Sequence, residues 1–413
     1  MQNQYINEWL NIPQLRVTQI VTDDPEELHF EAVPVDQHQS CPICLSDAPV
    51  VRRGTNGMRK IRHLPVFEKK SFLHVPAIRL YCKACEMGFV WAYEFVEPKQ
   101  QYSKAFCSLA VEHALGSTAT HSARMQQAPT STVQRWHRDS LPEMSQQVQA
   151  AAWAEAEASS ELVLGIDDFA IKKGHTYNTG IHNLRGETML DLFPGRSLDD
   201  LRAYADAHPD FRRLSPKAIV MDLAQVYHIW IREYFPTAIR IADRFHVHGY
   251  VVKAVQEVRK TVQLTLSPRA KAYLKSHHRL LNPPADALNE ESRNRLHTLL
   301  SFSPLLRAVW EWREAFTVWY DCSPNVAVAE TSFDRWCKQG EQIDHPMVRH
   351  VLQTMRNWKE EIVNYHRCRW TNAMVEGRHN RIKAFQRRHY FTRNRDCYKD
   401  GILLECNRHR MLL

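Results

Sequence analysis

Three acidic residues occupy positions from which a folded chain can gather them around divalent cations. Asp167 closes the apolar run Leu162-Val-Leu-Gly-Ile, Asp222 closes Ala218-Ile-Val-Met, and Glu376 sits in Asn372-Ala-Met-Val-Glu-Gly, at the opening of a basic helix. Carboxylates brought together without a basic neighbour repel one another unless a cation lies between them. Hard oxygen ligands select Mg2+, or Mn2+ in its place, and leave coordination sites for water and phosphate. Two such ions deprotonate an attacking water or sugar hydroxyl and neutralise charge on the phosphorus and the leaving oxygen, so one site serves hydrolysis and strand transfer. Asn380 and Lys383, four and seven residues beyond Glu376, share its helical face and are expected to face the bound phosphate. Asp168 competes with Asp167: a period of two sends these neighbours to opposite faces of a strand, and the sequence does not choose between them. Each acid alone also has a plainer role, as a turn cap or a solvated helix residue.

A second chemistry is written in Cys41-Pro-Ile-Cys44 and Cys82-Lys-Ala-Cys85. Two CxxC pairs have the knuckle spacing of a tetrahedral, structural Zn2+ site. The 37 residues between them place the knuckles on two hairpins joined by the basic segment Arg52 to Arg62. The remaining cysteines, at 107, 322, 337, 368, 397 and 406, are scattered, the usage of a reduced, intracellular protein.

These residues need elements to hold them. Residues 1–100 alternate polar and apolar at 12–36 and 72–91, a small β module around the zinc site. Residues 101–155 are helical, with a Pro129-Thr-Ser-Thr turn and a second helix starting near Ser131 and capped by Thr130 or Ser131, compatible with a helix-turn-helix or with a plain helical connector. Residues 156–247 give three consecutive strands, then helix and strand in alternation, the order of a ribonuclease-H-like α/β core. Residues 248–369 show no strand and carry recurrent tryptophans, an all-helical insertion, and 370–413 resume the core with the basic helix. The fold class is thus multidomain α+β.

Charge points to the partner. Of a formal net +8, the last 36 residues supply +7, with ten Lys or Arg against three acids. Such a face concentrates a polyanion, double-stranded DNA above all, although a solvated basic tail has the same composition. Arg378, Arg381, Arg387 and Arg388 are the candidate DNA contacts, interleaved with Phe385, Tyr390 and Phe391; Phe385 reads equally as core. No apolar run reaches the roughly 18 residues of a membrane span, and the start, Met1-Gln-Asn-Gln-Tyr, has no signal-peptide pattern, so a cytoplasmic protein without membrane association is expected.

Together, Gly165-Ile-Asp-Asp-Phe-Ala-Ile-Lys-Lys-Gly-His, Met221-Asp-Leu-Ala with Asp243-Arg-Phe-His, and Asn372-Ala-Met-Val-Glu-Gly-Arg-His-Asn-Arg-Ile-Lys resemble bacterial insertion-sequence transposases of the ISL-three family, relatives of Mutator-like transposases. The resemblance runs in order along nearly the whole chain. It implies an Asp-Asp-Glu centre interrupted by a helical insertion, an amino-terminal zinc module ahead of a helix-turn-helix, cleavage at the element's terminal inverted repeats and joining to target DNA by a homodimer or larger synaptic assembly. It places the catalytic acids on Asp167, Asp222 and Glu376. Asp243 and His246 match a D-x-x-H element that shapes the site or contacts DNA. Arg378-His379 departs from the apolar or Asn residue common after the Glu-Gly pair, which alters how the helix meets DNA. A zinc-dependent DNA-binding regulator without catalysis, or a nuclease that does not join strands, remain the competing readings.

Overall fold

The computed structural model describes residues 6–7, 10–21, 24–36, 38–172, 176–389 and 394–410. Residues 173–175 of the first acidic motif, with Tyr390, Phe391 and Arg393, lie outside them. The chain divides into two compact units, Met1–Pro142 and Glu143–Leu413.

The first unit is built on a five-stranded sheet: β1 (Leu15–Val21), β2 (Glu27–Pro34), β3 (Val50–Val66), β4 (Lys69–Cys82) and β5 (Met87–Val90), ordered β1-β2-β4-β3 with β5 on β4. The basic segment expected to link two hairpins is itself the strand β3. Most of Arg52–Lys60 faces solvent, so the strand lacks the apolar alternation that marked its neighbours. Phe67 and Glu68, at φ 50° and 66°, turn β3 back onto β4 in the left-handed geometry that suits strand twist. Three helices follow: α1 (Lys104–Leu115), α2 (Ala119–Met125) and α3 (Thr130–Ala158), whose residues from Glu143 onward belong to the second unit. Where the sequence suggested one helix before the Pro129 turn there are two, because Gly116 ends α1 and the Thr118 hydroxyl caps α2 by accepting from His121 N–H. Thr130 already belongs to α3, and Ala110, Ala123 and Val133 pack the three together.

The second unit is organised by another five-stranded sheet, β6 (Val163–Lys172), β7 (Thr176–Asn183), β8 (Thr188–Pro194), β9 (Ala218–Met221) and β10 (Ile239–Ala242), in the order β10-β9-β6-β7-β8. β6, β7 and β8 form an antiparallel meander, and β9 and β10 extend β6 in parallel. The parallel strands are joined through α4 (Leu198–Ala207), α5 (Pro209–Arg213) and α6 (Gln225–Tyr234), and β10 leads into α7 (Arg244–Thr265). Six further helices make the helical region: α8 (Pro268–His277), α9 (Glu290–Ser301), α10 (Pro304–Cys322), α11 (Val326–Glu341), α12 (Pro346–Asn357) and α13 (Lys359–Val363). The chain then closes with α14 (Ala373–Arg388) and α15 (Arg395–Asn407).

Both faces of the sheet are covered, which is why its strands read as continuous apolar runs. On one face Leu162, Leu164, Ile166, Ile219 and Met221 pack with Ala152 and Ala156 of α3 and with α4–α6. On the other, Val163, Ala218, Val220 and Ile241 join α7 and the tryptophan-rich helices in one core. There Trp312 and Trp336 stack at 4.4 Å and each indole N–H donates to the other's carbonyl, which satisfies the polar atoms of large buried rings. Phe169 and Met189 lie with Ile382, Phe385, Tyr398 and Ile402, so α14 and α15 rest on the meander. Phe385 is therefore core. No described helix is long and apolar enough to cross a membrane.

Candidate metal centres

The acids meet because of strand register. β6 and β9 pair as Gly165↔Val220, and β9 and β10 as Met221↔Ala242. Continued by one or two residues, these registers bring Asp167, Asp222 and Asp243 to one level. Asp222 and Asp243 directly follow the carboxyl ends of β9 and β10, where open α/β sheets hold ligands, whereas Asp167 lies within β6, which runs on to Lys172 in its pairing with β7 and does not end at the acid as the apolar run suggested. The link is closed by Asp243 N–H, which donates to Met221 O at 2.7 Å. Ligand oxygens of Asp167, Asp168 and Asp222 lie within 4.8 Å of one another, and Asp222, Asp243 and His246 form a second group of the same spacing.

Alternation along β6 holds, yet both neighbours reach Asp222. Asp168 accepts from Tyr227 Oη of α6 at 3.1 Å and from Arg196 Nη1 at 3.2 Å. Asp167 is buried on the α14 side, accepts from Asp168 N–H at 2.7 Å, and has His379 Nδ1 3.5 Å from Oδ2. Burial, and next the Asp222 charge, push the Asp167 carboxyl well above the usual range. Burial also raises Asp222, offset by His246. His246 Nδ1 stands 2.7 Å from Asp222 Oδ1, without hydrogen-bond alignment, and 3.2 Å from Asp243 Oδ2. These two carboxylates raise the imidazole to about 10. The site thus demands positive charge, and a protonated ring answers part of that demand. Oxygen donors with an imidazole at their edge fit Mg2+ or Mn2+.

Helix α14 is pinned to the strand ends by its first residues. Asn372 N–H donates to Asp243 Oδ1 at 2.9 Å, and its side-chain amide donates to Ile166 O at 3.2 Å. A methyl group on Gly165 would lie 2.7 Å from Asn372 Oδ1 and 2.7 Å from a Leu184 methyl carbon. Gly165→Ala is accordingly expected to destabilise the second unit by roughly 1–3 kcal/mol through overpacking. A thermal melt unchanged within a degree would contradict that placement.

Glu376 opens α14 but stands on its exposed side, outside both carboxylate groups. It lines a cavity of about 440 Å3 whose wall includes Asp243, Arg244 and Phe245. Asn380 and Lys383 are exposed like Glu376. The basic residues of the helix are divided by its period. Arg381 and Arg387 are exposed, whereas Arg378 is buried and donates to Thr188 O and towards His182 Nδ1, both at 3.0 Å. Arg378 is thus a core residue and not a DNA contact, since it shares the inward stripe of Val375, Ile382 and Phe385. Arg388 is half-buried against Glu405 at 2.8 Å. Asn372 and His379 were missed as site residues. Their signal was that same stripe, which turns His379 towards the strand ends; burial lowers its pKa to about 4, so it faces Asp167 as a neutral ring.

In the first unit the ligand atoms of Cys41, Cys44, Cys82 and Cys85 lie within 4.8 Å of one another. The β3–β4 hairpin sets Val50 opposite Cys82, which delivers the first knuckle to the second. The residue after each CxxC, Leu45 and Glu86, has positive φ (56° and 52°), so the two turns close alike. A tetrahedral ZnS4 centre with bonds of about 2.3 Å has S–S edges of about 3.8 Å. The Cys44–Cys82 separation is 3.8 Å. The thiols fit Zn2+, and with four protein ligands the ion would hold the fold and leave no position for substrate.

The second unit is an α/β domain with an acidic centre on its parallel strands, and the first carries a four-thiol cluster of the zinc-ribbon kind. Comparison with known proteins gives the family. The ISL3-type DDE model, described as a transposase, matches residues 164–402, and the zinc finger of IS204/IS1001/IS1096/IS1165 transposases matches residues 37–85. The transposase for insertion sequence element IS1001 of Bordetella parapertussis is 27% identical over 381 residues, 91% of each chain. The chain belongs to this transposase family.

Proposed function

We propose that the protein is a cytoplasmic, divalent-metal-dependent DNA transposase that cuts the terminal inverted repeats of an insertion sequence and joins them to target DNA, working as a homodimer or larger synaptic assembly. The observation that carries this reading is the convergence of Asp167, Asp222 and Asp243 beside α14. The meander extended by two parallel strands supports a ribonuclease-H-like core interrupted by the helical insertion, and α1–α3 are read as its helix-turn-helix region.

Asp167 and Asp222 are assigned as metal ligands. Bound Mg2+ or Mn2+ would supply charge neutralisation at the phosphate and activate the attacking hydroxyl. His246 orients Asp222 and Asp243, while Asn372 fixes the entry of α14 against β6. Glu376 is assigned the third acidic position because it opens the helix whose cap is bonded to Asp243. A second assignment has its own support: Asp243, already grouped with Asp222, is the third ligand and Glu376 acts across the cavity on DNA. Asp243→Asn and Glu376→Gln, assayed separately for element-end cleavage and for strand joining, distinguish the two. Loss of cleavage only in the first favours Asp243.

The raised pKa of Asp167 carries a sign. In the metal-free chain its carboxyl holds a proton at pH values where an ordinary Asp is ionised, and cation binding expels that proton. Mg2+ affinity is therefore expected to rise with pH through neutrality, with release of about one proton per chain. Calorimetry in two buffers of different ionisation enthalpy measures that number, and a value of zero removes Asp167 from the ligand set.

A further inference from the structure

Arg62, on β3 of the zinc-bearing unit, is a buried cation with little to bind. Its guanidinium lies between Phe72 and Phe106, 5.2 and 5.3 Å from their ring centres. Nη2 donates to Gln126 O at 3.5 Å, the long limit of a hydrogen bond, and the enclosed Nε has no partner. A guanidinium has five donors, and burying its charge without a counter-ion is strongly penalised. Glu27 lies in the same cavity, but its oxygens are drawn to His29 at 3.2 Å, Lys60 at 3.7 Å and Lys70 at 3.9 Å. Three cations therefore line a cavity of about 330 Å3 against one carboxylate, with Tyr102 and Gln101 as further polar groups.

Strand register makes this arrangement. Lys60 and Arg62 are two apart on β3 and share a face, and β2 sets Glu27 opposite Lys70. These donors match an anion rich in acceptors and small enough for the cavity. A phosphate group fits that description, since Arg offers it a planar fork and Lys a point charge. The same strand continues outward through half-buried Arg59 and exposed Arg52 and Arg53, an array that suits an extended polyanion better than an isolated carboxylate. We propose that Lys60, Arg62 and Lys70 form a clamp for one backbone phosphate of double-stranded DNA, in the unit that carries the zinc thiols. This rests on the DNA-binding reading above.

The test uses the full chain and a 30-base-pair duplex, with affinity measured by fluorescence anisotropy over a range of salt concentrations. Each phosphate contact contributes about 0.9 to the slope of log affinity against log salt. Lys60→Gln/Lys70→Gln is expected to reduce that slope by about one and to weaken binding roughly tenfold near 0.1 M salt. Arg62→Gln should do the same. The double change at exposed Lys60 and half-buried Lys70 keeps the test informative if the buried variant fails to fold. Lys69→Gln/Lys83→Gln removes equal charge from the same unit outside the cavity and should leave the slope nearly unchanged. Equal weakening in the cavity and control variants, or no change in either, overturns the clamp while DNA binding stands. A parent chain that does not bind duplex overturns the DNA-binding reading and the clamp with it.

Discussion

Asp222→Asn is expected to lower divalent-dependent cleavage of element-end DNA by at least about a thousandfold, roughly 4 kcal/mol of barrier, while leaving the fold intact. The substitution is isosteric and keeps an oxygen beside His246, yet it removes a charge that burial above all, and then Asp243 and Asp168, make unfavourable in the metal-free chain. Asp222 ionises against burial, so its neutral replacement should match the parent in melting temperature or exceed it in metal-free buffer. Activity and stability then move in opposite directions, the behaviour of a metal ligand and not of a structural cap. Retained cleavage in a well-folded variant would remove Asp222 from the chemistry.

Cys82→Ser is expected to abolish zinc retention and to unfold the first unit. Cys82 ends β4, is fully buried and faces Val50 across the hairpin, so it belongs at once to the sheet and to the thiol cluster. In small zinc domains, metal binding supplies about 10–16 kcal/mol of folding free energy, which a three-ligand site does not replace. Metal analysis should fall from one zinc per chain towards none, and proteolysis should digest the first unit while the second, which has its own cores, survives. A variant that stays folded without zinc would show that the apolar core around Leu73 and Val75 suffices.

The parts legible in the sequence were those with a period. The strands that carry Asp167 and lead into Asp222 and Asp243 were visible because sheets buried on both faces concentrate apolar residues, and the thiol knuckles because their spacing is local. β3 was hidden, since an exposed basic strand has no apolar rhythm and becomes a strand only through pairing with β4. The division of the basic helix was also hidden. Arg378 carries the same charge as Arg381, and only the packing of α14 on the meander makes one a core donor and the other a surface cation. Asn372 and His379 escaped for a related reason, because their partners, Ile166 O and Asp167, are more than two hundred residues away in sequence.

The central claim is that Asp167 within β6 and the acids that follow β9 and β10 hold divalent cations next to α14. Fe2+ placed in the Mg2+ site and treated with ascorbate and peroxide cuts the polypeptide close to where the ion is bound. The account predicts fragments ending near residues 167, 222 and 243, suppressed by excess Mg2+ and lost in Asp222→Asn, with a cut near 376 if Glu376 joins the ligand set. Cleavage confined to other segments, or unaffected by Mg2+, would contradict it.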